Sequence, residues 1–156
     1  MTRRTLADMA EITLRTDLAE LATLADFVER FAADSALPAG VAFQLNLVLD
    51  ELVTNAIEYG HPAGAASDAA AGVRLRLQRD GDVILAEVID GGIAFDPRHL
   101  PDPDLTTPLE SRRIGGLGVH LVRRYVDEID YRRENGRNHV RLRKRLPPAR
   151  PDGAPH

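Results

Sequence analysis

Two dipeptides do most to limit how this chain can fold. Asp80-Gly81 separates the alternating run Val73 to Gln78 from the apolar run Val83 to Ile89, and Asn135-Gly136 separates Glu128 to Arg133 from His139 to Arg145. Asp-Gly and Asn-Gly between runs of period two are strong hairpin signals, because these residues accept the positive φ that tight hairpin turns require. The last four strands are therefore expected to form an antiparallel sheet. Its apolar face needs a second layer to cover it.

The rest of the chain supplies that layer. Glu11 to Arg15 alternates as a short strand would, and Asp17 is placed to cap a helix through Leu18, Leu21, Leu24, Ala25 and Val28. Pro38 opens a second, longer helix, which stops at Gly60-His61-Pro62. Its apolar positions, Val41, Leu45, Val48, Leu49, Leu52, Val53, Ala56 and Ile57, form a broad face. A small-residue loop covers 63–72. The segment Asp96 to Ile114, 19 residues with four prolines, reads as a functional lid or a disordered loop. Gly115-Gly116-Leu117-Gly118 then opens a third helix through Tyr125. The expected order is β-α-α-β-β-lid-α-β-β: an α+β fold, a two-layer sandwich with a mostly antiparallel sheet and helices on one face. One domain is expected over 11–146, with a flexible N-terminus (1–10) and a disordered proline-rich tail (147–156).

Composition removes several chemistries. The chain has no cysteine, which excludes thiolate catalysis and cysteine-ligated metals. Lys144 is the sole lysine against 19 arginines, so the lysine-dependent phosphate loop GxxxxGK[ST] is absent. A formal charge of −4 gives no basic field for direct nucleic-acid binding. No apolar run approaches the ~18 residues of a membrane span, nor the core of a signal peptide, so the expected location is cytoplasmic. The five histidines lack metal-ligand spacing. The arginines of the last hairpin (Arg132, Arg133, Arg137, Arg141, Arg143, Arg145) read first as a solvated strand face, and second as a surface for an acidic protein.

Three segments carry candidate chemistry. Glu51 and Asn55 lie one turn apart on one face of the long helix, where a carboxylate can accept a proton and a carboxamide oxygen can ligate Mg2+. Asp90-Gly91-Gly92-Ile93-Ala94 follows an apolar strand, so that an acceptor carboxylate and small residues suit a flat heterocycle bearing an exocyclic amine. Arg112-Arg113-Ile114-Gly115-Gly116-Leu117-Gly118 offers unpaired N–H groups at a helix start, with two guanidinium groups beside them, which suits phosphate. The run follows a loop rather than a strand, so it is not the dinucleotide-binding fingerprint.

Taken in order, the acid/amide helix, the Asp-Gly strand end, the lid and the glycine-rich helix start resemble the GHKL (Bergerat-fold) ATPase superfamily. The resemblance spans about Glu11 to Leu146 and is strongest to the small bacterial anti-sigma-factor/serine-protein-kinase branch. It implies ATP and Mg2+ as cofactors. It further implies that Glu51 activates the attacking hydroxyl or water, that Asn55 holds the metal, and that Asp90 accepts a hydrogen bond from the adenine amino group. Gly92 would let the base approach, while Gly115, Gly116, Leu117 and Gly118 would wrap the phosphates. Ala94 departs from the pattern, standing where many members have a second glycine. Arg112 or Arg113 is the expected γ-phosphate contact. The implied activity is a protein serine kinase acting on an anti-sigma-antagonist (STAS) partner, with a sigma factor as a second partner and a homodimer as the expected assembly. The alternative is a non-catalytic ATP-binding module that sequesters a sigma factor. A histidine-kinase fragment is disfavoured, since no helical hairpin with a phosphoacceptor histidine precedes the domain.

Overall fold

The structure, a computed structural model, describes residues 9–61, 69–99 and 118–148. Its elements are β1 (Met9–Leu14), α1 (Leu21–Asp34), α2 (Ala39–Gly60), β2 (Val73–Asp80), β3 (Val83–Asp90), α3 (Gly118–Tyr125), β4 (Glu128–Glu134) and β5 (Arg137–Arg145), with short 3-10 turns at Leu18–Glu20, Ala69–Ala71 and Pro97–His99. The five strands form one antiparallel sheet in the order β1-β2-β3-β5-β4. The first strand thus joins the two hairpins at one edge. It begins at Met9, two residues ahead of the expected start, because pairing with β2 continues to Met9 opposite Gln78.

Alternation decides which face is covered. Along β2, Val73, Leu75 and Leu77 are buried while Arg74 and Arg76 are exposed, and β3 repeats the pattern with Ile84, Ala86 and Val88 inward. These residues meet Leu24, Val28 and Phe31 of α1 and the broad face of α2 in one core. α2 lies between α1 and α3 and also packs on β2 and β3.

Two local boundaries differ from expectation. Asp17 caps the 3-10 turn, its carboxylate accepting from the Ala19 N–H at 2.9 Å, and α1 starts only after it. The first hairpin turns at Gly81-Asp82, since Asp80 still pairs with Val83; φ is positive at Gly81 (62°) and not at Asp82. Glycine at the first loop position makes this the II′ pattern. At Asn135-Gly136 both φ values are positive (52° and 72°), as a type I′ turn requires.

The outward face explains most of the arginines of the last hairpin. Across the sheet, Glu11, Arg76, Glu87, Arg141 and Asp130 stand in register, alternating in sign. Arg76 reaches Glu11 at 3.1 Å, Arg141 reaches Glu87 at 3.0 Å, and Arg143 reaches Glu128 at 3.6 Å. Exposed pairs of this kind are worth about 0–1 kcal/mol each, yet together they leave a self-neutralised face rather than a basic one. Arg133 is on the opposite face by parity.

Candidate functional site

The C-terminal half of α2 crosses the end of β3, and the two candidate boxes meet there. Leu52, Asn55, Ala56, Val88, Asp90, Phe95, Pro97 and Val140 line one pocket. Asn55 and Asp90, remote in sequence, therefore share a cavity that is apolar apart from a few polar groups, the usual character of a small-molecule site.

Asp90 is held by a closed set of bonds. Its Oδ1 accepts from the Gly92 N–H at 2.8 Å and from Asn138 Nδ2 at 3.0 Å. Asn138 stands directly opposite Asp90 on β5 and is 1% exposed. Its Nδ2 also donates to the Ile93 carbonyl at 2.8 Å. Its Oδ1 accepts from the Tyr131 hydroxyl (2.6 Å), Arg133 Nη1 (3.0 Å) and the Phe95 N–H (3.2 Å). Donors surround one side of the amide and acceptors the other, so its orientation is fixed by chemistry.

The Asp-Gly loop is pressed onto the end of α2. Ile93 N–H donates to the Gly60 carbonyl at 2.8 Å, and a Cβ at Gly92 would come within 2.5 Å of that oxygen and 2.7 Å of the Gly60 Cα. The packing of helix against loop alone thus demands glycine at 92. Tyr59 of α2 stacks on Phe95 with ring centroids 5.4 Å apart and planes within 6°.

The acid/amide pair is arranged differently. Asn55 is 1% exposed, and both its Oδ1 and Nδ2 are buried with no hydrogen-bond partner among the described residues. One turn earlier, Glu51 is half-buried and its Oε2 likewise has no partner. Burial raises the Glu51 pKa above its ordinary value, and the nearby charges of Asp50 and Glu58 raise it further. Burial also raises Asp50. A carboxylate with strengthened proton affinity can accept a proton, and a carboxamide oxygen without a partner among the described residues can ligate a hard cation.

The other candidates divide. Gly92 lies at the α2 contact, Ala94 is exposed beyond the pocket lining, and Gly118 is the first residue of α3. Arg112, Arg113, Gly115, Gly116 and Leu117 lie outside the described residues, as does most of the lid. Sequence reasoning missed Asn138, Arg133, Gly60 and the Tyr59–Phe95 stack. A signal for Asn138 existed: counting from the Asn135-Gly136 turn, it occupies the inward register shared by Val140 and Leu142, where an apolar residue is expected.

Residues 14–144 match the family described as histidine kinase-like ATPase domain, and the chain belongs to that family. It is similar to the serine/threonine-protein kinase BtrW of Bordetella bronchiseptica, with 28% identity over 139 residues, covering 82% of this chain and 92% of that protein. Among solved structures it is similar to the RsbU and RsbW domains of Rv1364c from Mycobacterium tuberculosis, with a TM-score of 0.64 and 21% identity over 91% of this chain. The present chain spans 34% of that longer one. These matches bear out the resemblance to the GHKL superfamily and its serine-kinase branch, and the α+β fold expected from the hairpins. An ATPase domain of this family binds ATP. Among the described residues, no helix is long and apolar enough to cross a membrane.

Proposed function

We propose that this chain is a cytoplasmic, ATP-dependent protein serine/threonine kinase of the anti-sigma type, which phosphorylates a STAS-type antagonist and holds a sigma factor as its second partner. The observation that carries the reading is the pairing of Glu51 with Asn55. Glu51 is kept half-buried beside two other acidic residues, and both amide atoms of Asn55 are buried without partners among the described residues. A module that only bound nucleotide would have no use for a carboxylate of raised proton affinity at this position. The non-catalytic sequestration module is the alternative, and Glu51 weighs against it.

The donor set fits Mg2+ and adenine. A carboxamide oxygen is a hard ligand, so Asn55 would hold the metal, which supplies neutralisation of phosphate oxygens when bound. Asp90 uses Oδ1 for Gly92 and Asn138, and its second oxygen is the acceptor for the adenine amino group. Gly115 to Gly118, with Arg112 or Arg113, would supply phosphate contacts in place of the missing lysine. Glu51 takes the proton from the attacking serine or threonine hydroxyl as the new P–O bond forms and the bridging P–O bond breaks. The test is a pull-down from source lysate with γ-labelled ATP. A captured STAS protein labelled on Ser or Thr by wild type and unlabelled by Glu51→Ala is the expected result. Equal labelling by both proteins overturns the role of Glu51.

A further inference from the structure

The two residues that follow the Asp-Gly strand end have all four backbone polar groups bonded, each to a different part of the fold. Gly92 N–H donates to Asp90 Oδ1 of β3 (2.8 Å), and Ile93 N–H donates to the Gly60 carbonyl of α2 (2.8 Å). The Ile93 carbonyl accepts from Asn138 of β5 (2.8 Å), and the Gly92 carbonyl accepts from Arg133 Nη1 of β4 (2.8 Å). Three of these contacts come from residues that are at least nine-tenths buried: Asp90, Gly60 and Asn138. The fourth comes from an exposed side chain on the edge strand of the sheet.

Arg133 also touches the centre of the network, since the same Nη1 lies 3.0 Å from Asn138 Oδ1. The register makes this reach possible: Asp90, Asn138 and Arg133 stand opposite one another across β3, β5 and β4, on the face toward the helices. One cationic donor therefore fixes both the Gly92–Ile93 peptide, whose N–H is bonded to the Gly60 carbonyl, and the Asn138 amide, whose Nδ2 donates to the Asp90 carboxylate. Charge-assisted donors of this kind are shorter and stronger than neutral ones. By contrast, Arg141 and Arg143 of the same hairpin face outward, against acidic partners on the solvent face.

We propose that Arg133 is a positioning residue for base recognition: acting through Asn138, and by pinning the Gly92–Ile93 peptide beside it, it aims the Asp90 carboxylate at the exocyclic amine of a purine. The proposal rests on the reading that Asp90 receives that amine. Arg133 touches no nucleotide itself, and its position on the sheet edge lets the base site be tuned without disturbing the core.

The experiment measures binding of ATP and of purine riboside triphosphate, which lacks the 6-amino group, to the full chain by calorimetry. Arg133→Met is expected to weaken ATP about fivefold while leaving the deaminated analogue unchanged, so selectivity falls by the same factor. Arg133→Lys should restore part of it. Any fall in melting temperature should be small, because Arg133 is itself exposed and water can take the place of its guanidinium at the Gly92 carbonyl. Equal weakening of both ligands, or a drop in melting temperature with selectivity intact, reduces Arg133 to a structural role and overturns the proposal. So does unchanged ATP binding in Arg133→Met. Asp90→Asn separates the two levels of inference. If it keeps parental ATP affinity, the base reading fails and the proposal with it; if it loses ATP while Arg133→Met does not, only the proposal fails. Should Arg133→Met not fold, Arg133→Gln, which keeps a neutral donor, is read by the same selectivity ratio.

Discussion

Asn138 and Asn55 are both 1% exposed; Asn55 lines the pocket and Asn138 bonds to Asp90, which also lines it, yet the two asparagines are treated in opposite ways. Asn138 makes hydrogen bonds to Asp90, Ile93, Phe95, Tyr131 and Arg133, whereas neither amide atom of Asn55 has a partner among the described residues. A buried polar group without a partner costs about 1–3 kcal/mol, so a chain selected only for stability would not keep Asn55. The contrast separates what holds the pocket together from what the pocket is for. At the Asp90 end, polar groups are used on one another and build a rigid loop. At the Glu51–Asn55 end they are held ready for something the described residues do not supply.

That contrast makes opposite predictions for the two amides. Asn55→Ala should abolish ATP binding, a loss of at least ~100-fold by calorimetry, while the melting temperature holds or rises, because among the described residues the Asn55 side chain has no hydrogen bond to lose. Unchanged affinity in this variant would remove the metal role. Glu51→Gln acts on the chemical step instead. Nucleotide affinity should stay within a few fold of the parent, while phosphotransfer falls by about 10²–10⁴, the usual contribution of a general base. A Glu51→Gln protein that still phosphorylates its partner at the parental rate would place the base elsewhere.

Asn138→Ala should behave in the reverse manner. It strands the Ile93 carbonyl and the Phe95 N–H, and takes one of two donors from a buried carboxylate, so it should destabilise the chain by about 2–4 kcal/mol in urea titration. If it costs no more than Asn55→Ala, the division between a structural and a poised end of the pocket collapses.

How far the sequence alone reaches follows from the same residues. Hairpins, strands and the long helix are set by local pattern, and so they were readable. The exact place of the first turn was not, because Asp80-Gly81 and Gly81-Asp82 both satisfy turn chemistry and only the Asp80–Val83 pairing decides between them. Glu51, Asn55 and Asp90 were readable because each box has a local signature. Asn138 was not, since its value depends on standing opposite Asp90, 48 residues earlier, and beside Arg133 on the next strand. Gly60 and Gly92 likewise read singly, as a helix stop and as an approach for a base. Their contact with each other, which would put a Cβ on residue 92 within 2.5 Å of the Gly60 carbonyl, exists only once α2 lies across β3.

The smallest expected effect concerns the poised end alone, and its sign follows from proton linkage. Burial and the charges of Asp50 and Glu58 raise the Glu51 pKa in the folded chain above its unfolded value. Above the folded pKa, Glu51 is ionised in both states and the folded state bears the penalty. As pH falls through the folded pKa toward the unfolded one, the folded state takes up the proton first, and that penalty is relieved. Glutamine cannot titrate, so Glu51→Gln should be more stable than the parent near neutrality, with an advantage that shrinks as the solution is acidified. Urea midpoints of the two proteins at about pH 8 and about pH 5 measure it. An advantage that stays constant or widens at the lower pH would mean that Glu51 carries no strain from its carboxylate neighbours. The poised end of the pocket would then be poised by Asn55 alone.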